Sequence, residues 1–277
     1  MSANLLALGA IVLWASLAAL GVALSHVPPF LLTGLSLLMG SAIALPLSRF
    51  DWTQWRVPRS TLALGVYGLF GFHFLLFIAL RHAPPVQANL INYLWPLGIV
   101  VMAPLFLPGV SLTRRHLLAA LLGFAGAALA ILGRGGSAEV VWAWGYIPAA
   151  ASAFIWASYS LLTQRVQAFP TAAIGSFALV SGGLSLLCHV LLEPAVALTG
   201  RDGVLIALLG LGPLGGAFFL WDAALKRGDA RQIGVLSFLT PLLSTLTLLV
   251  VRGETPSLSV ALAAAMIIGA AVIATRR

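Results

Sequence analysis

The sequence of 277 residues is 61% hydrophobic and only 8% charged, with a formal net charge of +8, whereas soluble domains carry roughly 25% charged residues. A water-soluble fold is excluded, because apolar side chains would have to coat its surface; the outer solvent is lipid. Nucleic-acid binding is excluded as well, since Lys and Arg stand singly or in pairs between long apolar runs rather than along a basic stripe.

A membrane-spanning helix needs about 20 mainly apolar residues, each adding about 1.5 Å. Apolar runs between charges, Pro pairs and Gly clusters predict an all-α membrane protein of ten such helices, at 4–26, 29–48, 60–81, 84–107, 113–133, 142–165, 170–192, 203–226, 229–251 and 256–275. The first run is too long for the apolar stretch of a cleavable signal and has no basic segment ahead of it, so it reads as a span. Breaks such as Pro28-Pro29 and Pro84-Pro85 leave only a few connecting residues, which makes consecutive helices antiparallel neighbours with no room for a soluble domain. With a cytoplasmic N-terminus, the inner segments hold Arg49, Arg56, Arg59, Arg114, Arg115, Arg165, Lys226, Arg227, Arg231, Arg276 and Arg277, and the outer ones Arg81, Arg134, Arg201 and Arg252. Eleven against four follows the positive-inside rule and puts both termini in the cytoplasm. Trp52, Trp55, Trp142 and Trp144 sit at span ends as interfacial anchors. The lone Cys188 excludes an internal disulfide and reads as a filler within a helix.

Internal similarity appears at three places. Leu13-Trp14-Ala15-Ser16 resembles Ile155-Trp156-Ala157-Ser158; Phe74-Leu75 through Leu94-Trp95-Pro96-Leu97 matches Phe219-Leu220 through Leu239-Thr240-Pro241-Leu242; Gly126-Ala127-Ala128 pairs with Gly269-Ala270-Ala271. The offsets are 142, 145 and 143 residues, so two halves, 1–138 and 139–277, run in step. Five spans per half is an odd number, so the second copy enters the membrane upside down. Such inverted repeats recur in secondary transporters, which open first one side and then the other around a site near the midplane.

The Trp-Ala-Ser segment in each half, the Leu-x-Pro-Leu segments of the fourth and ninth spans, and Arg252-Gly253-Glu254-Thr255-Pro256 followed by Gly269-Ala270 resemble the drug/metabolite transporter superfamily, in its ten-helix, duplicated EamA branch. Through Asn89 to Pro96, with its Asn, Tyr and Trp, the chain is most similar to the bacterial YddG-type aromatic amino acid exporters of that branch. The resemblance implies export from the cytoplasm across the bacterial inner membrane; a multidrug exporter of lipophilic cations is the alternative within the superfamily. Gly253-Glu254 has no counterpart in the first half, where Val110 follows Gly109, so Glu254 reads as a loop or cap residue.

Aromatic residues with polar edges belong at interfaces, so those near mid-span need another explanation. Trp14, His73, Tyr93, Trp95, Trp156 and Tyr159 are such cases, and a shared central cavity that binds substrate is the economical reading. Packing between helices is the plainer one. Asn89 and Asn92, with Ser237 and Thr240, would add neutral polar contacts, although Ser and Thr commonly bond their own helix. Pro96 and Pro241 each remove a helix hydrogen bond at equivalent points, as hinges, as sources of a free carbonyl, or as simple kinks. His73 is the one mid-span group that titrates near neutrality; it would carry a coupling proton, bond the substrate, or serve structure alone. Asp222 with Lys226 at i+4 reads as an ion pair near the cytoplasmic end.

No acidic residue occurs between Asp51 and Glu139, and no Lys or Arg lies mid-span, so phosphorylated cargo is a poor match; an amphiphile such as an aromatic or large apolar amino acid suits these walls. No His-Glu-x-x-His, Gly-x-Ser-x-Gly or His/Cys cluster at ligand spacing is present, so neither catalytic residues, a metal nor a cofactor are expected. Filter loops and acidic rings of ion channels are missing too. Gly123, Gly126 and Ala130 form a small-residue face for packing helices within or between subunits.

Overall fold

The computed structural model describes residues 1–132, 142–253 and 255–275. The expected boundary at 138/139, and the readings of Arg134, Glu139, Glu254, Arg276 and Arg277, lie outside the described residues. In chain order the helices are α1 (Ala3–Ala23), α2 (Pro29–Leu47), α3 (Arg59–His82), α4 (Pro85–Phe106), α5 (Arg114–Leu132), α6 (Tyr146–Leu162), α7 (Thr171–Leu192), α8 (Gly200–Leu225), α9 (Ala230–Val251) and α10 (Leu258–Thr275). Among the described residues nine of them are long and apolar enough to cross a membrane, and α6, with 17 residues, is shorter. The expected bounds hold to within four residues, and no strand occurs among the described residues. The sixth helix starts later than expected because the turn before it is spent on packing. Trp144 lies on His82 with ring centroids 4.2 Å apart, and the Gly145 N–H donates to the His82 carbonyl at 3.3 Å.

Five spans are irregular inside the bundle, the second being interrupted at Ala42-Ile43 between Pro29–Ser41 and Ala44–Leu47. The third contains a π-helical turn, Tyr67–Gly71. The fourth is interrupted at Tyr93-Leu94, the eighth between Leu211 and Gly216, and the ninth at Ser237-Phe238. Pro96 is the second residue of the helical segment Trp95–Phe106, and Pro241 the third of Leu239–Arg252. Both lie in a first turn, where an N–H has no intrahelical partner, so each starts a new segment rather than kinking an old one. In α9 the carbonyl expected to be free, that of Ser237, accepts from the Thr240 N–H at 3.0 Å. In α8, Gly212-Pro213 breaks the ladder, and Gly215 lets α2 approach: a Cβ there would lie 1.8 Å from the Gly210 carbonyl oxygen and 2.6 Å from the Gly40 Cα. Gly215→Ala is therefore expected to cost about 3 kcal/mol by overpacking, read as a lower thermal midpoint in detergent; an unchanged midpoint would show that the break can shift freely.

Helix pairing is regular. α1 packs on α8 and α9, α6 on α3 and α4, α2 on α7, and α5 on α10. The small-residue face works within the chain: Gly126 sits against Ile267 of α10, and Gly123 against the ring of Phe238. Large apolar side chains such as Leu105, Val190 and Val250 face outward, as a lipid-facing surface requires. Trp52, Trp142 and Trp144 are exposed, whereas Trp55 turns inward against Gly175.

One end of the bundle carries Arg81, whose Nη2 lies 2.6 Å from Glu193 Oε1, and the His26–Asp202 pair at 3.2 Å. The opposite end carries the expected i+4 pair, Lys226 Nζ to Asp222 Oδ2 at 2.6 Å. Asp222 Oδ2 also accepts from Thr171 Oγ1 at 2.7 Å, and Lys226 donates to the Phe169 carbonyl at 2.9 Å, which ties α8 to the start of α7. At this end Asp229 caps α9 through the Arg231 N–H at 2.8 Å. Burial pushes the Asp229 carboxyl up, but the hydrogen bonds and charge of Arg231 outweigh it and hold the group below the usual carboxylate range.

Candidate functional site

Seven helices, α1, α2, α3, α4, α6, α8 and α9, enclose a cavity of about 580 Å³. Its rim reaches the Arg81 end through Ser25, Val27, Pro29 and Arg81, and its walls are mainly apolar, with Leu76, Phe77 and Leu214 among them. Toward the Lys226 end it stops on indoles. Trp14 lies 5.1 Å from Trp221, 5.8 Å from Trp156 and 6.2 Å from Trp95, centroid to centroid. Trp95 is 5.6 Å from Trp221, and Phe218 stands 5.6 Å from Trp156. Most of these pairs meet edge-on or tilted, the arrangements that place the positive edge of one ring on the negative face of another. Trp221 is fully buried and donates its Nε1–H to Ser160 Oγ at 3.1 Å. Below it, Leu6, Ala10, Leu225 and Ile233 continue the same packed core, so the cavity is closed at the Lys226 end.

Polar groups sit just above the indoles. The π turn precedes His73, and the Leu69 carbonyl within it accepts from His73 Nδ1 at 2.6 Å. That bond puts the proton on Nδ1 and leaves Nε2 with a lone pair in the neutral ring. Such turns inside α-helices are often found at functional sites. The Asn92 Nδ2 donates to Ser152 Oγ at 2.8 Å, and Ser152 Oγ donates to the Ala149 carbonyl at 2.7 Å, so the amide nitrogen is committed to α6 and the amide oxygen remains an acceptor. Thr240 is 5% exposed, and its Oγ1 has no hydrogen-bond partner among the described residues. A buried hydroxyl without a partner costs free energy, which a bound polar group would recover.

Of the residues proposed from sequence to meet a substrate, Trp14, His73, Asn89, Tyr93, Trp95 and Trp156 line the cavity together. Tyr159 does not; it packs beneath, 5.4 Å from Trp156, with Gly68 so close that a Cβ there would lie 2.3 Å from the tyrosine ring. Ser237 is fully buried off the cavity and donates to the Ile233 carbonyl at 2.9 Å, the fate common for helical serines. Four aromatic or charged lining residues, Phe72, Phe77, Phe218 and Arg81, were missed, as was Trp221 packed behind the indoles. Phe218 corresponds to His73 at the 145-residue offset, and the two rings lie 6.2 Å apart, so extending the repeat would have found it. Trp221 was hidden by its neighbour Asp222, and Arg81 by its place at a span end. Among the described residues no group of His, Cys, Asp or Glu could hold a metal ion.

Comparisons with known proteins bear on this geometry. An aromatic amino acid exporter YddG from Ancylobacter novellus is 43% identical over 99% of this chain and 97% of its own. The aromatic amino acid exporter YddG of Escherichia coli K12 is 27% identical over 99% of this chain and 98% of its own. A solved crystal structure superposes with a TM-score of 0.91 at 43% identity, covering 99% of this chain and 97% of that one. With the pattern described as the EamA-like transporter family matched at residues 1–132 and again at 143–276, the chain belongs to that family of multi-pass membrane transporters.

Proposed function

We propose that this chain exports aromatic and other large apolar amino acids from the bacterial cytoplasm by alternating access, and the observation that carries the reading is the cavity ending on three indoles, Trp14, Trp95 and Trp156, with Trp221 packed behind them. Rings of a cargo side chain would stack on Trp14, Trp95 and Trp156 with Phe218, in the edge and tilted geometries already present there. His73 Nε2, the Asn92 amide oxygen and Thr240 Oγ1 would accept the three N–H bonds of an ammonium group, with Asn89 and Tyr93 beside them. Tyr159 buttresses Trp156, and Ser237 lies at the helix interruption rather than on the cargo. The names of the 43% and 27% identical relatives point the same way.

The two halves act as inverted repeats that exchange conformations. Four correspondences support this reading. The π turn Tyr67–Gly71 and the break after Leu211 fall at matching positions at the 145-residue offset, and the interruptions at Tyr93-Leu94 and Ser237-Phe238 match at an offset of 144. The helix pairing is unchanged when the halves are swapped, since α1 on α8 and α9 becomes α6 on α3 and α4. Arg81 and Lys226, partners at the same offset, each lie over a phenylalanine, Phe30 at 5.6 Å and Phe169 at 3.7 Å, and pair with an acid at opposite ends. The family pattern matches each half. The segment starts at Pro96 and Pro241 serve as hinges, the termini are cytoplasmic, and the open Arg81 end faces outward.

Purified protein in liposomes loaded with radiolabelled phenylalanine or tryptophan tests the reading: flux of either is expected, and failure to move any amino acid after verified insertion overturns it. We assign His73 to cargo binding through Nε2, which the Nδ1 bond to the Leu69 carbonyl leaves as an acceptor. On that assignment flux is expected to be equal with and without a pH gradient, and acceleration by a gradient would make His73 the coupling group. Lipophilic cations are the second reading, since aromatic walls attract cations; among the described lining residues no acid is present to hold one.

A further inference from the structure

Of the described residues that line the cavity, Arg81 is the only Asp, Glu, Lys or Arg. It sits at the rim and its side chain is 41% exposed. One guanidinium nitrogen bonds Glu193, and the group lies over the Phe30 ring at 5.6 Å. Glu193 does not need Arg81 for its burial. Its side chain has no exposure and already accepts from the Phe30 N–H at 3.1 Å, the Leu31 N–H at 3.2 Å and His189 Nδ1 at 3.0 Å. The two backbone groups belong to the start of α2, whose dipole adds partial positive charge there. With the carboxylate so satisfied, Arg81 need not commit its remaining donors to it. Of the five N–H donors a guanidinium carries, the described residues take one through Glu193.

Arg81 lies eight residues beyond His73 on one helix, which corresponds to about 12 Å along the axis. That is longer than the distance between the ring and the carboxylate of one aromatic amino acid. With the guanidinium drawn to Glu193 and Phe30 at the rim, cargo whose ring sits among the indoles would leave Arg81 unoccupied. We infer that Arg81, held by Glu193 and Phe30, forms a second binding station at the rim that receives the carboxylate of departing cargo. This rests on the amino acid reading of the cavity. The station distinguishes amino acids from their decarboxylated amines, a discrimination that the neutral indole floor cannot make.

Two measurements test it. The first compares flux of phenylalanine and of phenethylamine, the same molecule without its carboxylate, in liposomes bearing wild type, Arg81→Gln or Arg81→Lys. Arg81→Gln is expected to lower phenylalanine flux about tenfold, the loss of one charge-assisted contact, with phenethylamine flux unchanged and Arg81→Lys intermediate. Gln keeps an amide donor for Glu193, so equal losses for both solutes would mean a structural role and overturn the station, as would no loss for either. The second measurement does not depend on transport: binding of indole-3-propionate and of tryptamine to purified protein in detergent. Arg81→Gln is expected to weaken the carboxylate ligand alone. If wild type moves no amino acid yet binds indole-3-propionate through Arg81, the export reading fails and the station stands; if that binding is indifferent to Arg81, the station fails.

Discussion

Trp156→Ala is expected to lower amino acid flux at least about tenfold per folded molecule, the loss of about 1.4 kcal/mol or more of cargo contact. Trp156 is 3% exposed and touches six rings: Trp14, Trp95, Trp221, Phe218, Phe72 and Tyr159. Truncating it opens a void beneath the cavity, and the fold should lose about 4 kcal/mol, within the range seen for buried Trp or Phe cut to Ala. Flux must therefore be normalised to protein that survives size-exclusion chromatography. Trp156→Phe keeps an aromatic face at the same point and should recover most of the stability and part of the flux. If Trp156→Ala transports at the wild-type rate per folded molecule, the indole floor is not on the cargo's route.

The second large effect concerns the closed end. Asp222→Ala removes the carboxylate that Lys226 and Thr171 share and leaves the ammonium beside the Phe169 carbonyl and ring without its counter-ion. Breaking one partner of a buried pair costs about 3–5 kcal/mol. Lys226 is a quarter exposed on its side chain, so the lower end, about 3 kcal/mol, is expected. Replacing both partners, Asp222→Leu with Lys226→Met, should return the stability, because an apolar pair needs no counter-charge. Flux should remain low in that double variant, since opening this end would wet apolar groups where the native chain wets ions. Wild-type flux in the double variant would mean that these contacts take no part in opening.

The bilayer made the spans legible, because it demands a fixed length of apolar helix and tolerates little else. Their positions were readable to within a turn, and mid-span Trp14, Trp95, Trp156 and His73 stood out because lipid offers their polar edges no partner. The interruptions were half legible. Pro96 and Pro241 marked them, but a proline in a first turn starts a segment instead of bending one. The π turn at Tyr67–Gly71 carries no proline, and Gly65, Gly68 and Gly71 around it let α3 pack closely on Phe177, Tyr159 and Ile155 of α7 and α6, a role that glycine spacing alone does not announce. Ser237 was misjudged because a repeat fixes depth and not which face of α9 looks inward. Arg81 was counted as a charge at an outer connection, where only the rim geometry reveals that it borders the cavity.

The crowding of Trp14, Trp95, Trp156 and Trp221 has an optical consequence. The chain has eight tryptophans, so half of its indole chromophores sit at one spot. At separations of 5.1 to 6.4 Å their transitions couple. Intrinsic fluorescence and near-ultraviolet circular dichroism therefore report on this floor more than on any other part of the molecule. A ring stacking on it, or the floor parting as the far end opens, would register without an added label.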